Sequence, residues 1–460
     1  MSKAIYQLIP KNQSIHIVGI SGTEMAAVLY YLYNKGYENI TLHDNALDIE
    51  ESFNMFHSFY PHSLKEKYLH VIEQYEVKTH DSYLSDIEKA ATIIVPQSWF
   101  LYEDNKRLHS LKHKMVFYPD ICFALFPGKI AAVTGTVGKS TTTSFLADIC
   151  NGMLLGNDRE IIQDLLTLER LNSDSFLIFE LSNRHLANGL VKKVDVGVLT
   201  NICPNHIPDH GSLEAYSSVK HKIFDYSEKV LYNLSNPYPE LGIYNSGSYT
   251  FSNKDLGFAC IKNNHIEIDN KIVINIHELH FQHEHDILNI LAASGTAYLL
   301  GLNIETIAEK LKDLQIKPLY RSFEYKKGHL KIINDGASCL PENTKMVIKN
   351  INEPFILITG GSRQVPRKEE FYGLVDEIIK NTYLIKVIIL GPIRKLLSRV
   401  LVEKEYNNFI LEDSLKECVI NSLQYNFSTL VFSPGCGVGN EYTDKYERGE
   451  HFDAIIKEVI

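Results

Sequence analysis

A glycine-bounded run, Gly135-Thr136-Val137-Gly138-Lys139-Ser140-Thr141, separates the apolar stretch Ile130-Ala-Ala-Val-Thr134 from the helix-compatible stretch Ser144-Phe-Leu-Ala-Asp-Ile-Cys150. The order is strand, tight turn, helix N-terminus, and its chemistry is phosphate binding. The glycines let successive N–H groups turn inward towards phosphate oxygens, and the helix start adds partial positive charge. Lys139 is placed to neutralise the outer phosphates, and the hydroxyl of Ser140 or Thr141 to ligate Mg²⁺. Val133 stands where the longer phosphate-loop pattern has glycine, so this is a shorter variant. A chance Gly-Lys-Ser turn ahead of a surface helix is the competing reading, and the strand and helix on either side argue against it.

Three further places could serve that cradle. Glu180 ends the apolar run Ser175-Phe-Leu-Ile-Phe, at the strand edge where open α/β sheets bind ligands, and an acid there holds Mg²⁺ directly or through water. The loop Thr200-Asn-Ile-Cys-Pro-Asn205-His206-Ile-Pro-Asp209-His210 concentrates two histidines and an acid. Its His-x-x-x-His spacing reads as zinc only with a further paired ligand, whereas one histidine as an auxiliary Mg²⁺ ligand is chemically acceptable. Glu214 to Phe224 has helical period with Tyr216, Val219, Ile223 and Phe224 inward; its lysines, Lys220 included, read as a solvated face.

These residues need a frame of strands and helices. Ser14-Ile-His-Ile-Val-Gly-Ile20 reads as a buried strand entering a turn at Gly19 and Gly22. Glu24 to Tyr33 follows as a helix closed by Gly36, and Glu38 to Asp44 as a second strand. This βαβ opening places Asp44 where an acid accepts ribose or base hydrogen bonds, although Gly19-Ile-Ser-Gly22-Thr23-Glu24 lacks two of the three fingerprint glycines. Further strands are expected at Ala91–Pro96, Val194–Thr200, Lys229–Asn233, Leu330–Asn334, Phe355–Thr359, Lys386–Leu390 and Thr429–Phe432. Three consecutive α/β domains follow: 1–125 Rossmann-like, 126–315 around the phosphate loop, and 316–460 again Rossmann-like.

Composition bounds the partners. In 460 residues, 45% hydrophobic and 22% charged is globular usage, and a net charge of −10 argues against nucleic-acid binding, which needs clustered Lys and Arg. The seven scattered cysteines contain no Cys-x-x-Cys pair and suit a reducing compartment. No window approaches a membrane span, and the N-terminus has no cleavable apolar core. A cytoplasmic monomer acting on small molecules, with no membrane and no nucleic-acid partner, is expected.

Taken together, the chain resembles the Mur ligase family, and its D-glutamate-adding members in particular. The resemblance rests on Thr134 to Thr142, Phe179-Glu180-Leu-Ser182, Leu199-Thr-Asn201 through His206 to Tyr216-x-x-x-Lys220, His285-Asp-Ile-Leu-Asn289, Tyr320-Arg321-x-x-Glu324, Ile333-Asn334-Asp335, Thr359-Gly-Gly361, Phe432-Ser-Pro-Gly-Cys436 and Glu447-Arg448-Gly449. It implies a uridine-nucleotide-binding first domain, a central ATPase and a third domain that delivers an amino acid. It implies phosphorylation of a carboxylate by ATP and attack of an amine on the acyl phosphate. By position, Gly135, Thr136, Gly138, Lys139, Ser140 and Thr141 would hold ATP, with Asn289 at adenine and Arg321 and Asp335 reaching the nucleotide. Ser140, Glu180, His206 and a carbamylated Lys220 would hold two Mg²⁺. Thr23, Asp44, Asn157 and Ser182 would face the acyl substrate.

The departures concern the substrates. Where D-glutamate-adding relatives carry two lysines, two hydroxyls and a phenylalanine around the amino acid, this chain has Ala337, Cys339, Gln364, Val438 and Lys445. Each lost charge-assisted hydrogen bond forfeits about 1.5–3 kcal/mol. Glu24 in the first glycine loop would repel a diphosphate unless it faces away. The expected function is a ligase joining D-glutamate to UDP-N-acetylmuramoyl-L-alanine. The alternatives are the same chemistry on another acyl and amino acid pair, and a nucleotide-binding regulator without turnover.

Overall fold

Short, largely buried apolar runs build most of the parallel strands, because such a strand is covered on both faces. A computed structural model describes residues 3–46, 48–56, 60–156, 160–203, 211–236, 248–280, 284–315, 323–362, 368–439, 441–442 and 444–460. The first sheet contains β1 (Ile15–Val18), β2 (Ile40–His43), β3 (Glu76–Lys78), β4 (Thr92–Ile94) and β5 (Met115–Val116), all parallel, in the order β3-β2-β1-β4-β5. β1 therefore lies between β2 and β4, and the strand order reverses there.

The second sheet contains β6 (Lys129–Thr134), β7 (Met153–Leu155), β8 (Phe176–Glu180), β9 (Val194–Leu199), β10 (Ser227–Asn233), β11 (Tyr249–Ser252), β12 (Ala259–Lys262), β13 (His265–Ile268) and β14 (Lys271–Asn275). Its order is β14-β13-β12-β11-β10-β9-β6-β8-β7, and the register pairs Val133 with Glu180 and Thr134 with Leu199. The ends of β6, β8 and β9 are thus level, and their loops share one edge. The helix Lys139–Cys150 packs on the helix Glu284–Leu300 through Phe145, Leu146, Ile149, Ile290, Ala293 and Ala297.

The antiparallel β12–β14 extension is absent from the strands expected of the sequence. Its turns are Asn263-Asn264 and Asp269-Asn270, all four at positive φ between 47° and 62°. Such pairs are the hairpin signal that Asn and Asp supply because they tolerate left-handed backbone.

The first two sheets belong to one compact unit, Met1–Leu314. Phe123, ahead of β6, meets Phe179 of β8 edge-on at 5.3 Å between ring centroids, and one apolar core runs from Ile17 and Val28 to Ile130 and Leu186. The second unit, Gln315–Ile460, contains β15 (Phe323–Lys327), β16 (Leu330–Asn334), β17 (Phe355–Gly360), β18 (Leu384–Leu390), β19 (Phe409–Glu412) and β20 (Thr429–Phe432). Their order is β15-β16-β20-β17-β18-β19, with only β15 antiparallel. Helices Pro341–Lys349, Tyr372–Lys380 and Arg394–Glu403 cover one face, and Leu415–Ser422 and Lys445–Val459 the other. No described helix is long and apolar enough to cross a membrane.

Candidate functional site

The loop between β6 and the helix Lys139–Cys150 is held open by its neighbours. Gly135 lies at φ +144°, where a Cβ would stand 2.0 Å from Thr200 Oγ1. Gly138 lies at φ +82°, where a Cβ would stand 2.5 Å from Asn289 Oδ1. Only glycine serves at either position, for both space and backbone conformation. Asn201 clamps the loop from β9: its Oδ1 accepts from Val137 N–H at 2.9 Å, its Nδ2 donates to Val137 O at 2.9 Å, and its carbonyl accepts from Thr136 N–H at 3.0 Å. Thr136, buried, shares its hydroxyl with Tyr216 OH at 3.1 Å and accepts from Cys203 N–H at 3.1 Å. Lys139 folds back to donate to Thr136 O at 3.1 Å, while Ser140 is half-buried and Thr141 buried in the first helical turn.

Beside that loop stands an ionisable pair. Glu180 is buried at the end of β8, and its Oε2 has no hydrogen-bond partner among the described residues. Lys220, on the helix Leu213–Asp225, is 1% exposed and donates to Thr134 Oγ1 at 3.0 Å. Burial, then the charge of Lys139, holds Lys220 well below the ordinary lysine range, against the pull of Glu180. This corrects the reading of Lys220 as part of a solvated face. The one lysine of that helix that faces inward is invisible in the periodicity because Tyr216 and Ile223 already account for its buried side. The orphaned carboxylate oxygen fits a cation, as Mg²⁺ asks for hard oxygen donors and few protein ligands. The described residues contain no group of three or more His, Cys, Asp and Glu side chains that could hold a metal. His206 lies outside the described residues.

Asn289 is buried and turns Oδ1 to the Thr142 hydroxyl at 3.2 Å, so part of its amide is spent on the phosphate-loop helix. Thr23 is the first residue of the helix Thr23–Asn34 and half-buried. Asp44 is buried, with Oδ2 accepting from Ser21 N–H at 2.9 Å and Oδ1 from Ala46 N–H at 3.0 Å. The Ser182 hydroxyl accepts from His185 N–H at 3.0 Å and donates to Gln97 Oε1. Asn157, Arg321 and Gln364 lie outside the described residues.

The second unit has its own crevice at the ends of β16, β20 and β17. Helices leave β16 and β17 on one face and β20 on the other, the arrangement that opens a ligand crevice in α/β sheets. Asp335 Oδ2 accepts from Ser433 Oγ at 2.6 Å. Ala337, Cys339, Val438 and Lys445 are half-buried, with Lys445 Nζ 4.9 Å from the Tyr446 ring centroid. Arg448, buried, donates to the carbonyls of Gly336 at 2.8 Å, Ser338 at 2.8 Å, Cys436 at 2.8 Å and Gly437 at 3.1 Å. It staples the two loops of the crevice to the last helix. In the sequence it stood only as part of a matching block, because nothing local announces four carbonyls gathered from positions up to 112 residues away.

Comparison with known proteins agrees with this geometry. Residues 133–297, from the phosphate loop to the helix Glu284–Leu300, match the Mur ligase middle domain. The UDP-N-acetylmuramoylalanine–D-glutamate ligase of Caldanaerobacter subterraneus subsp. tengcongensis is 25% identical over 358 residues, which are 74% of this chain and 78% of the relative. The enzyme of that name from Prochlorococcus marinus is 25% identical over 71% of this chain and 73% of its own. In fold, the chain is similar to UDP-N-acetylmuramate-alanine ligase MurC of Thermotoga maritima (TM-score 0.61, 16% identity, 98% of this chain and 100% of that one). It is likewise similar to MurF of Acinetobacter baumannii (TM-score 0.62, 13% identity, 100% and 98%). Residues 133–297 are thus similar to the Mur ligase middle domain, and the α/β fold with its three sheets is similar to that of the solved Mur ligases.

Proposed function

We propose that the protein is an ATP- and Mg²⁺-dependent ligase that joins a carboxylate to an amine through an acyl phosphate. The observation that carries this reading is the grouping of Lys139, Lys220 and the open carboxylate oxygen of Glu180 around one glycine loop. A carboxylate is a poor acyl donor. Transfer of the γ-phosphoryl group to its oxygen releases ADP, and attack of the amine nitrogen on the acyl carbon then forms the amide and releases a proton and phosphate. The N–H groups of the loop and Lys139 bind and orient the transferring phosphates, whose negative charge they offset in a water-poor site. Ser140 and Glu180 are the residues that would hold Mg²⁺, which supplies charge neutralisation when bound.

The low proton affinity of Lys220 supports a finer step. A lysine amine in its uncharged form, which burial favours here, adds CO₂ to give a carbamate and a proton, placing an anionic oxygen donor at that position. With His206 it would serve a second Mg²⁺. Asp335 and Arg321 are proposed as further nucleotide-binding residues, and the segments 1–125, 126–315 and 316–460 are proposed as acyl-substrate, ATP and amine domains.

The substrate pair that the relatives' names give is UDP-N-acetylmuramoyl-L-alanine and D-glutamate. A second reading, the same chemistry on another pair, is favoured by the crevice of the second unit, where Ala337, Cys339 and Val438 bring no charge. Phosphate release with ATP, Mg²⁺ and that uridine nucleotide, scanned over D-glutamate and the proteinogenic amino acids, tests both. Turnover with D-glutamate alone establishes the first pair; turnover with another amine, or with another acyl donor, establishes the second. Nucleotide binding with no amine-dependent turnover on any donor would defeat the ligase reading.

A further inference from the structure

Thr134 closes β6 one residue before the phosphate loop, and the sequence offers it only as a β-branched strand residue. Its side chain does more than fill the sheet. Thr134 is fully buried, and its Oγ1 lies 2.8 Å from Leu181 O and 3.0 Å from Lys220 Nζ. A carbonyl oxygen has no proton to give, so the hydroxyl proton points at Leu181 O and only the lone pairs of Oγ1 remain for Lys220. The lysine nitrogen is therefore the donor, whether it carries three protons or two. With its own proton committed, the hydroxyl cannot donate to the amine, and the nitrogen lone pair is not taken by Thr134. Leu181 follows Glu180 directly, and its N–H donates to Val133 O at 2.8 Å. One hydroxyl thus ties the lysine to the strand end that bears the carboxylate.

Lys220 has a second fixed neighbour. Its Nζ stands 5.6 Å from the ring centroid of Tyr216, one helical turn earlier, and the Tyr216 hydroxyl is held 3.1 Å from Thr136 Oγ1 in the phosphate loop. The ring face is the negative pole of the aromatic quadrupole, so it accepts an N–H and turns away an anionic oxygen. Addition of CO₂ to the uncharged amine forms one N–C bond, from the nitrogen lone pair to the carbon, and releases one proton. The nitrogen keeps a single N–H, and Thr134 Oγ1 stands where it can accept that N–H. The new oxygens are then directed away from both the hydroxyl and the ring. We propose that Thr134 is a positioning residue for Lys220: its hydroxyl, committed as a donor to Leu181 O, accepts the one N–H that a Lys220 carbamate retains, and so fixes which side of the nitrogen takes up CO₂. This rests on the carbamate step proposed above; the hydrogen-bond roles stand on the geometry whatever the charge of the lysine.

The test is ¹³C NMR of the full chain in Mg²⁺ and ¹³C-labelled bicarbonate, the carbamate resonance of Lys220 being the one that Lys220→Ala removes. Thr134→Val keeps the shape of the side chain and removes the acceptor; it should need about tenfold more bicarbonate for half-occupancy, the size of one hydrogen bond. Thr134→Ser keeps the hydroxyl and should return to within about twofold of wild type. A folded Thr134→Val that fills at the wild-type concentration overturns the proposal, as does a Thr134→Ser that stays as weak as Thr134→Val. If Thr134→Val does not fold, Thr134→Cys decides: its thiol is a poor acceptor, so it should need more bicarbonate than Thr134→Ser, and equal filling overturns the proposal. A wild-type chain that shows no Lys220-dependent resonance, while releasing phosphate when its amine is added, defeats the carbamate and this proposal together and leaves the ligase reading standing. A resonance that follows Thr134 in a chain without turnover supports the proposal and defeats the ligase reading instead.

Discussion

Two turns of the same backbone design, a parallel strand, a glycine loop and a helix N-terminus, end in opposite chemistry. After β6 the loop presents Lys139, with Lys220 beside it and a carboxylate oxygen of Glu180 without a partner among the described residues. After β1 the loop residues 19–25 contain no cation, and the acids that line it, Glu24 and Asp44, are buried and bonded. Both offer helix N–H groups and a dipole, so these do not by themselves make an anion site. The side chains differ, with a lysine in one loop and buried carboxylates lining the other.

The largest effect is expected on the open side. Lys139→Ala should lower kcat by about 10²–10³-fold, as loss of a preorganised group that stabilises the transferring charge does. Steady-state phosphate release measures it, with thermal melting to show that the fold persists. Glu180→Gln should cost about as much and raise the Mg²⁺ concentration needed for half-maximal rate, because a neutral amide is a poorer ligand for a hard cation. An unchanged Mg²⁺ requirement would remove Glu180 from the metal site. Lys220→Ala should lose turnover without rescue by bicarbonate, since no amine remains to take up CO₂; full activity would refute its role.

On the closed side the effects fall on stability. Glu24→Ala leaves the buried ring N–H of His185 and the half-buried amide of Gln97 without that acceptor, at about 1–3 kcal/mol, read by urea denaturation. Asp120, buried and accepting from Val191 N–H at 2.7 Å, has its carboxyl pushed up to about 6 by burial, against the pull of that hydrogen bond and of His185. A carboxyl raised in the folded state binds protons there that the unfolded chain has released, so stability falls as pH rises from about 4 to about 6. Asp120→Asn should therefore stabilise by about 1–2 kcal/mol above that window and not below it.

The open loop was legible because its chemistry is contiguous: Gly135, Gly138, Lys139 and Ser140 fall within six positions and lie between a strand and a helix that announce themselves. The apolar parallel strands β1, β6, β8, β17 and β20 were legible for the same local reason, whereas the parallel strands β3, β5, β7, β11 and β19 were not. The closed loop was not. Glu24 was suspected only for its charge, and its partner His185 lies 161 positions away, brought to it by packing between two sheets. Lys220 was hidden likewise, since a helix with an apolar stripe gives no sign that one lysine joins it. The β12–β14 hairpins were written in the Asn-Asn and Asp-Asn pairs and in alternating residues, a local signal that the search for βα units passed over.

The most direct measurement on the central claim is ADP formation by the full chain with Mg²⁺ and ATP, with acyl donor and amine added singly and together, in parallel with Lys139→Ala. The account predicts rapid ADP formation only when both are present, at a rate that Lys139→Ala lowers by about 10²–10³-fold. ADP formation that ignores the amine, or that survives the loss of Lys139, would contradict it.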